Sequence, residues 1–420
     1  MEDSRSKDFL SQFFLNCGFA TRALHAGEHV GQPQHRSHAG AIYQTSTFVF
    51  ENAAEGAEMF SGAKQGYVYT RLGNPTVLAL EGKLNALEGG EVKLRDPSVR
   101  VSSLAFSSGM AAVSSTLMAL CSQGDELIMG KVLYGASQHL AVNVLARFGV
   151  KVIEVDTSNL TAVEACLHEH PKAKAFLFES PTNPTLTLAD IAAIVGLKRN
   201  LAPAMKIIVD NTFATPYLQR PLELGADVVI HSTTKYLCGH GTVVGGIMTT
   251  VSDEVKDKAY TIIKDVGGSP SPFDAWLVNL GIKTLPVRME KHCANARALA
   301  RFLADHPKVE RVHFPGLETH PQYGLAKRQM RDFGGMVSFD IKGGIEAGRR
   351  LMDNIKIFTL AVSLGCVDSL IEHPASMTHA CVPRDKREPV GITDGLVRVS
   401  AGIEDEADLI RALDEGLAKV

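Results

Sequence analysis

The sequence predicts an α/β fold: a large domain built on a mainly parallel sheet, followed by a smaller C-terminal α/β domain. Three observations predict it. Short apolar runs of strand length alternate with helical patterns through the middle of the chain. A long amphipathic stretch, Leu285 to Ala304, separates that region from a second set of elements. And 420 residues, 45% of them hydrophobic and 21% charged, exceed what one core comfortably holds.

The elements follow in order. Glu126 to Met129, Val152 to Val155, Ala175 to Phe178, Ile207 to Val209 and Val228 to Ile230 read as buried strands. Thr76 to Leu87, Ser108 to Ala119, Leu160 to His168 and Leu188 to Lys198 read as the helices between and before them. In such sheets a ligand sits beyond the carboxyl ends of the strands. Glu179 and Asp210 each follow a run and are placed on that edge. The charged stretch Arg95 to Ser102 reads as an exposed loop. Past the bridging helix, Met336 to Ile341 and Val397 to Ser400 are strands, and Ile345 to Ile355 and Glu404 to Leu417 helices. Residues 1 to about 75 differ: they are rich in Gly, His, Ser, Gln and Thr, with turn-like stretches near Gly62 and Gly73. Tyr43, Phe48, Phe50, Tyr67 and Tyr69 favour packing on a surface over disorder. The division is therefore 1–73 as an arm, 74–286 as the large domain and 287–420 as the small one.

Charge and composition narrow the function classes. With 43 basic and 46 acidic residues, nothing points to nucleic acid. Met1 to Phe14 does not read as a secretory signal, and no apolar segment approaches the roughly 20 residues of a membrane span. Seven widely spaced cysteines (Cys17, Cys121, Cys166, Cys238, Cys293, Cys366 and Cys381) form no C-x-x-C pair, which suits reduced thiols in the cytoplasm. His29, His35 and His38 lack ligand spacing and read as surface residues rather than a metal site.

Chemistry concentrates in a few places. Val228 to Tyr236 is an apolar strand ending in hydroxyls and one lysine, Lys235, with Gly239, Gly241, Gly245 and Gly246 behind it. A Schiff-base lysine needs such a confined place, where its amine loses its proton, and Ser232 and Thr234 suit a phosphate; a surface lysine after a strand is the alternative. Asp210 suits a protonated pyridine nitrogen, or else it caps the turn through Asn211 and Thr212. Ser107-Ser108-Gly109-Met110 opens a helix whose N–H groups suit a phosphate or an ordinary cap. Tyr134 can stack on a planar ring or sit as a structural tyrosine. Arg398, inside the apolar run 396–399, wants a carboxylate, either a structural partner or a substrate's. Tyr69 and Arg71 complete the set, Arg71 as a phosphate ligand or a loop arginine.

Together these segments resemble the Cys/Met-metabolism family of PLP-dependent enzymes, from Gly18 to the end of the chain. The most specific stretches are Tyr67 to Pro75 (YVYTRLGNP), Ser180 to Pro184 (SPTNP), Val209 to Pro216 (VDNTFATP), His231 to His240 (HSTTKYLCGH) and Glu372 to His379 (EHPASMTH). The resemblance implies a type I, PLP-dependent transferase-like fold with a seven-stranded sheet, and pyridoxal 5'-phosphate as cofactor. It implies that Lys235 carries the cofactor, Asp210 pairs with its ring nitrogen and Tyr134 stacks on the ring. Gly109, Met110, Ser232 and Thr234 match the phosphate ligands, and Tyr69 and Arg71 match residues that reach a neighbouring subunit's phosphate. Asn183 matches a substrate- and cofactor-binding asparagine, Ser363 a serine holding the lysine or substrate, and Arg398 the arginine for the α-carboxylate. A homotetramer, as a dimer of dimers, is implied as well.

Substrate choice rests on one position. Cystathionine-specific γ-enzymes carry a glutamate before the serine-leucine-glycine run, where this chain has Val362. Valine cannot pair with a distal ammonium but can line a pocket for a methyl thioether, which favours γ-elimination of L-methionine or homocysteine. The alternatives are cystathionine γ-lyase or γ-synthase, O-acetylhomoserine sulfhydrylase, and, outside catalysis, an inactive oligomeric scaffold. Methionine γ-lyases place a cysteine two residues after the stacking tyrosine; here Ala136 stands in its place.

Overall fold

The computed structural model describes residues 14–28, 38–380 and 383–420; His29, His35 and Cys381 lie outside them. Twelve strands are described: β1 Ser102–Phe106, β2 Glu126–Gly130, β3 Lys151–Val155, β4 Ala175–Glu179, β5 Lys206–Asp210, β6 Val228–Ser232, β7 Gly246–Thr250, β8 Val309–His313, β9 Met336–Ile341, β10 Thr359–Leu360, β11 Leu370–Glu372 and β12 Leu396–Ser400. The first seven make one sheet in the order β1-β7-β6-β5-β4-β2-β3. From β6 through β3 all pairings are parallel, and β7 runs antiparallel to both β6 and β1. All of β4 and β7 is buried, as expected of strands covered on both faces.

The five predicted strands of this sheet are all present, each a residue or two longer. β1 and β7 are additions. The stretch expected as a loop, Arg95 to Ser102, is shorter, because Arg95 ends the preceding helix and Ser102 opens β1; β7 is a short run holding two threonines, so neither strand stands out as an apolar segment. Glu179 and Asp210 are the last residues of β4 and β5, not the first residues after them.

The helix predicted over 76–87 runs from Pro75 to Arg95. Asn74 caps it by accepting from Thr76 N at 2.9 Å, and Pro75 occupies the first turn, where no amide donor is needed. Its continuation past Leu87 includes Gly89-Gly90. A Cβ on Gly90 would lie 2.1 Å from Arg22 Nη1, so glycine there admits a neighbouring side chain rather than ending the helix. The helix predicted at 188–198 is Ile191–Leu201, shifted because Asp190 caps it through Ala193 N.

The remaining strands form a second sheet, β10-β11-β12-β9-β8, antiparallel except for β10 against β11. Leu285–Asp305 joins the two regions. Its first half places Leu285, Met289 and Cys293 in the core under the large sheet; its second half gives Ala296, Leu299, Ala300 and Leu303 to the core of the small one. Burying both halves of one helix ties the two cores together.

The N-terminal stretch predicted as an arm is not uniformly extended. Phe19–His25 is a helix whose Phe19 and Ala23 lie in this chain's own main core, and Ala53–Ser61 is a largely exposed helix. Lys83, fully buried, donates to Ala23 O and pairs with Glu28 at 2.6 Å, which fastens the first helix down. Among the described residues no helix is long and apolar enough to cross a membrane.

Candidate active site

The carboxyl ends of the parallel strands carry the candidate chemistry. Glu179 ends β4, Asp210 ends β5 and Ser232 ends β6, while Tyr134 follows β2. Edge placement comes from the apolar runs themselves: strands buried on both faces expose polar side chains only where they leave the sheet.

Asp210 is held from its own chain two residues on. Thr212 donates to Asp210 Oδ1 through its amide at 3.0 Å and its hydroxyl at 2.5 Å. The other oxygen, Oδ2, accepts no hydrogen bond among the described residues. Thr212 Oγ1 in turn accepts from Ser232 N at 2.9 Å, which locks the ends of β5 and β6 together. Beside Ser232 the helix Gly109–Leu120 begins, capped by Ser108, which accepts from Ala111 N. A Cβ on Gly109 would stand 2.9 Å from Ser232 Cβ and 3.1 Å from its Oγ. Glycine therefore keeps open a cradle bounded by a helix N-terminus and a hydroxyl without a partner among the described residues. Thr234 closes the far side, exchanging hydrogen bonds with Gly245 N and O. Met110 follows Gly109 and takes a weak contact from Ser137 Oγ at 3.7 Å.

Lys235 reaches across to the small-sheet region. Its Nζ donates to Ser363 Oγ at 2.8 Å. Burial, and after it the charge of Arg398, holds its amine below the ordinary lysine value, so the neutral nucleophile is available nearer neutrality. Ser363 sits at φ +119°, a conformation L residues rarely adopt, and its carbonyl accepts from Arg398 Nη2 at 2.9 Å. Arg398 Nη1 donates to Asn183 Oδ1 at 2.9 Å, and the Asn183 amide donates to Glu179 Oε2 at 3.1 Å. Glu179 Oε1 accepts from Tyr134 N at 2.6 Å. One continuous chain of contacts thus runs from Tyr134 through Glu179, Asn183, Arg398 and Ser363 to Lys235. Tyr134 itself is 50% exposed. Val362, beside Ser363, is also exposed, at 59%.

Two predicted site residues lie apart from this chain. Tyr69 bridges to Thr47, and Arg71 lies over the Tyr69 ring at 5.3 Å; no contact among the described residues joins either to Lys235. Tyr260 Oη donates to Leu72 O, fixing that loop to the large domain.

Two participants were missed as site residues. Glu372, buried in β11, stands in register with Arg398 of β12 and pairs with its Nη1 at 3.1 Å, so the arginine has the structural carboxylate that its buried strand calls for. In sequence Glu372 only closes the pair Leu370-Ile371 ahead of His373-Pro374, and nothing there links it to Arg398. Glu179 was placed on the edge, but its two hydrogen bonds are with backbone amides of separate loops, and sequence spacing does not reveal those.

These residues fit pyridoxal phosphate. A lysine of lowered basicity, an unpartnered Asp210 Oδ2, a half-exposed tyrosine ring and a glycine-opened cradle beside a free hydroxyl are what its aldehyde, ring nitrogen, ring face and phosphate require. Among the described residues no cluster of His, Cys, Asp or Glu is arranged to hold a metal.

Comparison with known proteins agrees. The family described as "Cys/Met metabolism PLP-dependent enzyme" matches residues 20–418. L-methionine gamma-lyase of Fusobacterium nucleatum subsp. nucleatum is 46% identical over 404 residues, covering 96% of this chain and 98% of that protein. L-methionine gamma-lyase of Pseudomonas putida is 46% identical over 95% of this chain and 97% of its own, and cystathionine gamma-lyase of Mus musculus 43% identical over 95% of each. The crystal structure of metB from Corynebacterium glutamicum superposes with a TM-score of 0.87 at 40% identity, covering 96% of this chain and 98% of that one.

Proposed function

This chain belongs to the Cys/Met-metabolism family of PLP-dependent enzymes, and within that family we propose that it is a carbon–sulfur lyase that releases a thiol, ammonia and 2-oxobutanoate from L-methionine or homocysteine. The observation that carries this reading is the pairing of Lys235 Nζ with Ser363 Oγ, on the same short loop as the exposed apolar Val362. A lysine base and an uncharged wall then face one space.

Bound pyridoxal phosphate supplies an electron sink conjugated to the substrate's Cα. The protein's own groups do the rest. Arg398 takes the α-carboxylate, and Asn183, already on its Nη1, sets its plane. Lys235 Nζ removes the Cα proton and then a Cβ proton; a buried amine of lowered basicity suits a base working near neutral pH. Asp210 Oδ2 holds a proton at the ring nitrogen. Tyr134 Oη gives a proton to the leaving sulfur, its backbone fixed by Glu179. Water completes the hydrolysis to ammonia and the 2-oxo acid. Ser232, Thr234, Gly109 and Met110 anchor the phosphate, so much of their contribution is orientation.

The site is shared between subunits of a cytoplasmic dimer that pairs into a tetramer. Exposed Tyr69 (40%), Val49 (95%) and Phe60 (70%) on the N-terminal stretch support a covering partner, and six described free cysteines support a reducing compartment.

The test is paired steady-state assays of the PLP-loaded protein on L-methionine and L-cystathionine, reading 2-oxobutanoate. Faster turnover of methionine is expected. Dominant turnover of cystathionine, the substrate for which the mouse relative is named, would leave Lys235 in place and overturn the argument from Val362.

A further inference from the structure

Glu179 and Asp210 end adjacent parallel strands in register, which sets two carboxylates side by side at the foot of the pocket. Glu179 is 5% exposed. Every hydrogen bond the pair accepts comes from a neutral donor: Tyr134 N and Asn183 N on Glu179, Thr212 N and Oγ1 on Asp210. Neither has an ion-pair partner among the described residues. The other titratable groups facing the pair are His231 on β6, whose Nε2 is bonded to Glu88, and Tyr134 above. A buried carboxylate beside a second, half-buried one, with no ion-pair partner among the described residues, makes ionising both costly. Burial and the charge of Asp210 push Glu179 up to about 8, and burial raises Asp210 as well.

Asp210 Oδ2 is the pair's one oxygen that accepts no hydrogen bond among the described residues, which leaves it open to face a ring nitrogen. We propose that the Glu179–Asp210 pair shares one proton in the cofactor-free protein and gives it up to solvent as the cofactor's protonated ring nitrogen seats against Asp210 Oδ2. One O–H bond of the pair breaks and its proton passes to water or buffer; the pair goes from one negative charge to two, and the ring nitrogen keeps the proton and positive charge it carries in solution near pH 7. Glu179 is then a positioning residue acting through Asp210, as well as the tie between the Tyr134 and Asn183 loops. This rests on the pyridoxal phosphate reading of the site.

The test is calorimetric titration of the cofactor-free full chain with pyridoxal 5'-phosphate near pH 7, in buffers of different ionisation heat, for wild type and Glu179→Gln. Protons exchanged by Lys235 and by the free cofactor are common to both proteins and cancel in the difference. Glu179→Gln leaves Asp210 ionised and no shared proton to lose, so its binding releases about one proton fewer per site than wild type. A Glu179 with only a structural role changes the affinity but leaves the proton count equal, which overturns the proposal. Wild type that fails to bind the cofactor at all overturns the reading of the site instead. Wild type alone gives a second measurement: the infrared carbonyl band of a protonated carboxylic acid, present in the cofactor-free protein and lost on binding. Its absence before binding overturns the proposal even where the variant does not fold.

Discussion

The two sides of the pocket are built differently. On the cofactor side, Asp210 is fixed by Thr212 two residues away, Ser232 by the end of its own strand, and the phosphate cradle by the first turn of one helix. On the substrate side, Arg398 meets Asn183 across 215 residues of sequence, Ser363 across 35 and Glu372 only through the register of β11 against β12. Local geometry makes the first side; tertiary packing makes the second. The first therefore tolerates changes in the small-sheet region, while the second fails when either region shifts.

The largest effect that separates the two sides is expected at Lys235, where they meet. Lys235→Ala removes one hydrogen bond, to a half-buried serine, worth about 0.5–1.5 kcal/mol, so the melting temperature moves by only a few degrees. Turnover falls by at least about 10²–10⁴, the usual contribution of a placed base, and further because the cofactor's tether is lost. Thermal unfolding and 2-oxobutanoate release on the same preparation check both halves. Turnover near that of the wild type would remove Lys235 as the base.

The next effect belongs to the substrate side alone. Glu372 and Arg398 are both buried, and removing one partner of such a pair costs about 3–5 kcal/mol. Asn183 and the Ser363 carbonyl still hold the guanidinium, so Glu372→Gln should fall at the low end of that range. Denaturant unfolding is the measurement. A loss below about 1 kcal/mol would mean that the two hydrogen bonds suffice and the ion pair adds little.

The same contrast explains what was legible in the sequence. An apolar run closing on a hydroxyl, a lysine or an aspartate marks a strand end, which is why Lys235, Asp210 and Ser232 are readable along with the strands that carry them. The bridging helix is readable because its two halves face two cores and so keep one apolar stripe over 21 residues. β1 and β7 are not readable, since their burial comes from neighbours rather than from their own composition. The helix at Phe19–His25 is hidden for the same reason: only its packing on Pro75–Arg95 shows it belongs to the core. Glu179 and Glu372 act through partners 45 and 26 positions away, at distances where a single sequence carries no pairing signal.

The smallest effect tests the wall of the pocket. Val362 is 59% exposed, so a carboxylate placed there stays largely solvated and gains about 0.2–1 kcal/mol from a substrate's distal ammonium. Losing valine removes an apolar contact with a methyl thioether, about 1 kcal/mol for a methylene's worth of pocket. Val362→Glu is therefore expected to raise the ratio of kcat/KM for L-cystathionine over L-methionine by roughly tenfold, from two modest terms of the same sign. Because neither term involves Lys235 or Asp210, the cofactor's absorption spectrum should stay that of the wild type. An unchanged ratio with an unchanged spectrum would take Val362 out of the specificity argument. A changed spectrum would show that this loop reaches the cofactor through Ser363, and that the two sides of the pocket are less separable than their construction implies.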